Sequence, residues 1–197
     1  MDELLALITA GALIPAISLL VKKLIIDNAF KALENEISIK DKDGKEFKFV
    51  VNSNATSNEI RDIFESELKF ESSVKKSLEN FINTHKKNNL HLSHGKNLDF
   101  LLRHNDRRIG IEAKSNANKF KAKWILNYFK ENNEIDELIM IIDSKIPETL
   151  LKEVNNFDKG KKIKFISSPG GRGLSKSINN VLEADLGINK TLHRTSR

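Results

Sequence analysis

Residues 98–114 read LDFLLRHNDRRIGIEAK, and this stretch decides the fold. Two strand-like segments flank Asn105-Asp106, a pair suited to a two-residue hairpin turn. With that turn, His104 faces Arg107. Leu98 then faces Ala113, Phe100 faces Ile111 and Leu102 faces Ile109, so one face of the hairpin is wholly apolar and packs on a core. The other face pairs Arg103 with Arg108, Leu101 with Gly110 and Asp99 with Glu112. Lys114, two residues beyond Glu112, shares that face. Carboxylates opposed in this way have Cβ atoms about 5 Å apart and repel one another. A divalent cation would offset the repulsion, and hard oxygen donors suit magnesium. Lys114 adds a positive charge and three hydrogen-bond donors. The competing reading is an exposed strand on which an Asp, a Glu and a Lys are solvated, or joined as structural ion pairs.

Upstream, residues 36–51 alternate in polarity around Asp43-Gly44, which signals a separate hairpin. Thr56-x-x-Glu59 is a capping box that opens a helix. Ile60, Ile63 and Phe64, then Val74, Leu78, Phe81 and Ile82, follow at helical spacing, with a break expected near Lys69 and an end before Asn88-Asn89. Glu71 precedes Val74 by three residues and Leu78 by seven, so it falls on the apolar face as an inward-pointing acid. Glu67, one turn earlier, is its rival; a helix-dipole role for Glu71 is the plainer alternative.

Downstream, a helix over 118–131 carries Phe120, Trp124 and Tyr128 in an apolar stripe that reads as core packing, with Lys119 and Lys123 together on another face. A buried strand covers 138–143. Pro147 opens a helix at its first position, and 162–167 is a strand. A loop runs from Pro169 to Gly173, and Ser175 caps a last helix that ends near Asp185. From residue 57 the order is helix, two strands, helix, strand, helix, strand, helix. This is an α/β pattern with a mixed central β-sheet flanked by helices.

Phe70-Glu71 with Val74 and Leu78, Gly95-x-x-x-Asp99, and Ile111-Glu112-Ala113-Lys114 together resemble the PD-(D/E)xK nuclease superfamily, in particular its Mrr-like restriction-endonuclease branch, over residues 57–168. Two features depart from the family pattern: Leu98 stands where a Pro is usual, and the helix after Glu112-x-Lys114 has no Gln. The resemblance implies a restriction-endonuclease-like fold and a metal-dependent endonuclease that hydrolyses phosphodiester bonds of DNA. Asp99, Glu112 and the Ala113 backbone carbonyl would hold Mg²⁺ or Mn²⁺, Glu71 would reach the ion through water, and Lys114 would orient or deprotonate the attacking water. Lys96, Lys119, Lys123 and Arg172 would touch the nucleic acid. Host defence against foreign DNA is the setting implied, with a second copy or a defence-system protein as partner. A catalytically inactive nuclease-fold module, used for nucleic-acid binding or assembly, is the alternative. A third reading is a basic domain that docks on membrane or partner through residues 36–51.

Composition limits the remaining possibilities. The 197 residues hold 33 Lys+Arg and 27 Asp+Glu, a net charge of +6, which suits an anionic partner. No cysteine is present, which excludes disulfides, thiolate nucleophiles and thiolate-held metals. His91-x-x-His94 lacks the helix and third ligand of a zinc site and reads as loop. SPGGRGLSKS at 168–177 lacks the spacing of a phosphate-binding P-loop. Residues 4–21 carry no charge; as a helix they would span about 27 Å, against roughly 30 Å of bilayer hydrocarbon. Asp2 and Glu3 before this run, and Lys22 and Lys23 after it, put the C-terminal side in the cytoplasm, anchored in inner-membrane lipid; a helix buried in a soluble assembly is the alternative. The expected organisation is therefore a hydrophobic N-terminal helix (1–28), a β-hairpin connector (29–56), the nuclease-like domain (57–186) and a basic tail (187–197). The expected behaviour is that the full chain sediments with membranes and requires detergent, whereas a chain beginning near residue 29 stays in the supernatant.

Overall fold

A computed structural model of the chain describes residues 34–40, 46–156 and 162–188. The expected membrane helix, the Asp43-Gly44 turn and most of the basic tail lie outside these. Among the described residues no helix is long and apolar enough to cross a membrane. They divide into two units. One comprises 34–40, 46–66 and 118–120; the other comprises 67–117, 121–156 and 162–188.

In the first unit, β1 (Glu34–Lys40) and β2 (Glu46–Asn52) pair antiparallel, with Ile37 opposite Phe49 and Ile39 opposite Phe47. Phe47 meets Phe64 edge to face at 5.3 Å between ring centroids. The helix α1 (Ser57–Thr84) starts as expected. The Thr56 N–H donates to Glu59 Oε2 at 2.7 Å, and the Glu59 N–H donates to Thr56 Oγ1 at 3.3 Å. No break occurs near Lys69, because the segment holds neither Gly nor Pro and Phe70 keeps the apolar stripe continuous.

The second unit is built on a five-stranded sheet in the order β3 (Leu90–Gly95), β4 (Leu98–His104), β5 (Arg107–Lys114), β6 (Glu137–Ile142), β7 (Lys162–Ser167). The first three strands are antiparallel, and β5, β6 and β7 are parallel. Each parallel connection carries a helix: α2 (Lys123–Glu131) between β5 and β6, and α3 (Glu148–Asn155) between β6 and β7. α4 (Leu174–Leu186) follows β7. The fold is thus α/β, with a mixed sheet flanked by helices. Every residue of β6 is buried, as a central parallel strand requires. Phe70, Val74, Leu78 and Phe81 of α1 join Ile178 and Leu182 of α4 over Phe100, Ile111 and Ile139, which makes the main core.

Four expectations change. Residues 90–95 form a strand, not a loop, with Leu90 and Leu92 facing His104 and Leu102. The helix over 118–131 is not continuous. Ala117–Lys119 makes a separate 3₁₀ turn whose first N–H is held by Ser144 Oγ at 2.9 Å, so Lys119 and Lys123 share no helical face. Pro147 caps α3 from an extended conformation, one residue before the helix begins. At α4 the cap is Gly173, at φ 68°, while the Ser175 hydroxyl reaches Ser77 at 2.8 Å.

At the start of β6, fully buried Glu137 is ion-paired with Arg107 (3.2 Å), Lys162 (3.0 Å) and Lys164 (3.1 Å). Asp185 of α4 also pairs with Lys164. This network joins three strands to α4 by charge. Leu78 has no exposed surface at the centre of the α1 contact. Replacing it by Ala should lower the unfolding free energy by about 3 kcal/mol, read as an earlier midpoint in denaturant titration.

Candidate metal and phosphodiester site

The expected register of β4 and β5 holds from Phe100 opposite Ile111 to His104 opposite Arg107, and Asn105 turns the chain at φ 52°. The ladder then stops, because β4 carries one extra residue. Ser93 lies opposite Leu101 and Gly95 opposite Leu98, so two steps along β3 match three along β4. The bulge resets the alternation. Leu98 does not face Ala113. Its Cδ1 would lie 2.9 Å from a Cβ added at Gly110, on the opposite side of the sheet from the Phe100 core.

Asp99 and Glu112 meet where the strands part. The Asp99 N–H donates to Glu112 Oε2 at 3.2 Å, and the Ala113 N–H donates to Asp99 Oδ2 at 2.7 Å. Each carboxylate thus binds backbone of the opposite strand in place of a ladder bond. On the other side of β5, the carbonyls of Arg108 and Lys114 accept from Asp136 and Asp143, so even-numbered residues turn their backbone toward β6. Ala113, being odd, directs both N–H and C=O toward β4, into the same notch as Asp99.

Lys114 Nζ lies 2.8 Å from Glu112 Oε1, and the Tyr128 hydroxyl of α2 donates to the same oxygen at 2.7 Å. From α1, Glu67 accepts from the Ser115 N–H at 3.1 Å and from its hydroxyl at 2.7 Å. Exposure is 5% for Asp99, 3% for Glu112, 5% for Lys114 and 4% for Glu67, so three carboxylates share one buried ammonium. His94, on β3, places Nδ1 2.9 Å from the Asp99 carbonyl.

The structure therefore brings Asp99, Glu112, Ala113 and Lys114 together. The α1 carboxylate it adds is Glu67; Glu71 is half-buried one turn on. At about 100° per residue, Glu67 lies about 25° from the centre of the Phe70, Val74, Leu78 and Phe81 stripe, and Glu71 about 65°. Tyr128 was hidden within the aromatic stripe. The signal for it is chemical, since a buried phenol requires a partner for its hydroxyl. Lys96 is exposed in the β3–β4 turn, three residues before Asp99, and Lys123 is exposed at the start of α2. Lys119 belongs to the hairpin unit. Arg172 is exposed in the loop after β7, where the Gly171 N–H donates to Asp143 Oδ1 at 2.9 Å; the Asp143 N–H in turn holds the Lys114 carbonyl.

Burial, and then the charge of Asp99, push the Glu112 carboxyl up to about 7, against the opposing pull of Lys114 and Tyr128. Burial also raises Glu67. For Lys114, burial alone would lower the pKa, but Glu112, Tyr128, Glu67 and Asp99 together outweigh it and hold the ammonium well above its ordinary value. Burial and Glu112 likewise keep the Tyr128 phenol protonated. Two carboxylates and a backbone carbonyl turned into one notch are a donor set that fits a hard divalent cation. Among the described residues no three acidic or histidine side chains could enclose a metal by themselves, so water and the Ala113 carbonyl would complete its shell. No family model, curated protein or solved structure matches the chain.

The raised Glu112 pKa has a definite sign for stability. Between the ordinary value of 4.5 and about 7 the folded chain holds a proton that the unfolded chain has lost, so stability falls as pH rises through that window. In chelator, wild type should lose about 3 kcal/mol relative to Glu112→Gln between pH 4.5 and 7, measured by denaturant titration at each pH.

Proposed function

We propose that this chain is a divalent-metal-dependent phosphodiester hydrolase acting on DNA, a PD-(D/E)xK-type nuclease with a restriction-endonuclease-like fold. The observation that carries this reading is the meeting of Asp99, Glu112 and the Lys114 ammonium in the notch where β4 parts from β5. Asp99, Glu112 and the Ala113 carbonyl would hold Mg²⁺ or Mn²⁺. When bound, the ion polarises the phosphoryl oxygen and makes water more acidic. The rest of the chemistry belongs to the side chains. Lys114, held as an ammonium by the carboxylates around it, acts as a donor that orients water and counters developing negative charge. Tyr128 fixes the Glu112 carboxylate in orientation, and Glu67 fixes Ser115, the residue after Lys114. Lys96, Lys123 and Arg172 supply exposed positive charge for the backbone of the nucleic acid. With residues 4–21 as anchor, the domain faces cytoplasmic DNA, and defence against foreign DNA is the setting this suits.

One observation favours an inactive nucleic-acid-binding module instead: both oxygens of Glu112 already accept hydrogen bonds from the protein. Metal binding separates the two readings. The active enzyme cuts plasmid DNA with Mg²⁺ or Mn²⁺, and Glu112→Gln and Lys114→Ala each lower cleavage by at least about 100-fold. Glu112→Gln also weakens the metal strongly, whereas Lys114→Ala leaves its affinity equal or tighter because a nearby positive charge is gone. Calorimetric titration with Mn²⁺ reads the difference. A wild type that binds DNA with the usual salt dependence, yet neither takes up metal nor cuts, establishes the module reading.

A further inference from the structure

Asn132 follows α2 and is 1% exposed, yet it belongs to none of the groups described above. Its carboxamide is fully engaged. Oδ1 accepts from the Lys96 N–H at 3.0 Å. Nδ2 donates to the Lys96 carbonyl at 2.7 Å and to the Tyr128 carbonyl at 3.0 Å. Its own N–H closes α2 on that same Tyr128 carbonyl at 3.0 Å. One side chain therefore grips both polar groups of a single peptide, as a neighbouring strand would, and ties that peptide to the end of a helix.

The two ends it joins carry the two carboxylates. The Lys96 peptide begins the Lys96-Asn97-Leu98 link into the bulge that presents Asp99; Tyr128 holds Glu112. Asn97 Nδ2 repeats the connection by donating to Glu131, the last residue of α2. The bulge leaves Asp99 outside the β4–β5 ladder, so backbone pairing alone does not set its distance from Glu112.

We infer that Asn132 is a positioning residue whose buried carboxamide sets the separation of Asp99 and Glu112 by bonding the β3–β4 turn to the end of α2 that carries Tyr128. This rests on the proposed hydrolytic site, because it assigns the residue a share in that site's geometry. Outer contacts of this kind typically govern about 10- to 100-fold of metal affinity or activity.

The test uses the full chain and its single tyrosine. Asn132→Asp keeps the size and the acceptor for Lys96 while removing the donors to Lys96 and Tyr128. Asn132→Ser removes the grip without adding charge, and takes its place if the aspartate variant fails to fold. Biosynthetic 3-fluorotyrosine gives one ¹⁹F resonance, from position 128. The expected result is a folded variant whose resonance shifts and whose Mn²⁺ affinity and Mn²⁺-dependent cleavage fall by about 10- to 100-fold. A lower melting temperature with resonance and Mn²⁺ affinity unchanged would show a merely structural clip and overturn the inference. If wild type cuts no nucleic acid, the hydrolase reading fails, and the resonance still decides whether Asn132 positions Tyr128.

Discussion

Glu112 is a carboxylate enclosed by protein, and the arrangement around it is what the sheet-bearing unit must satisfy. Its three donors come from three places: Lys114 from its own strand β5, the backbone of Asp99 from β4, and the hydroxyl of Tyr128 from α2. A buried charge lacking such partners costs several kcal/mol, so the strand divergence, the bulge and the docking of α2 are mutually required. Removing any one leaves the others facing an unsatisfied carboxylate.

The sheet buries a second glutamate, and the contrast separates the two. Glu137 sits among Arg107, Lys162 and Lys164, with Asp185 as the other acid of that network among the described residues. Cations outnumber acids there, and the role is to join strands and helix. Around Glu112 the surroundings differ: the charge of Asp99 raises its pKa while the Lys114 ammonium lowers it, and Glu67 acts on the same Lys114. The cation proposed for this notch would offset the repulsion of Asp99 and Glu112.

Much of this was legible in the sequence for definite reasons. The Asn105-Asp106 turn fixes the register of the hairpin, so Phe100, Ile111 and their neighbours were placed correctly. The capping box at Thr56 and the apolar run at 138–142 likewise act through local rules. What was not legible depends on tertiary contact. The bulge in β4 has no local signature, since neither Gly nor Pro marks it, and its effect on Leu98 appears only through Gly110 and β3. β3 itself alternates over only Leu90 and Leu92, too few positions to announce a strand. Glu67 and Glu71 lie one turn apart on similar faces, and that Glu67 bonds Ser115 depends on how α1 packs. Tyr128 lies on the same helix as buried Trp124, so its packing looked sufficient to explain it.

The two-residue turn at Asn105-Asp106 also bears on how the chain folds. β3, β4 and β5 are consecutive, joined by short turns, and their closure costs little chain entropy. β6 and β7 reach the sheet only after crossovers that carry α2 and α3, and such long-range parallel pairing is slow. The antiparallel meander thus brings the Asp99 and Glu112 strands side by side through a two-residue turn, whereas Tyr128, 16 residues beyond Glu112, must dock on a helix. The repulsion of Asp99 and Glu112 is met first in water, where it is weak, and becomes severe only as α2 closes over the carboxylates. Folding solvent that screens or binds negative charge should therefore act on the late docking of the helix more than on formation of the hairpin.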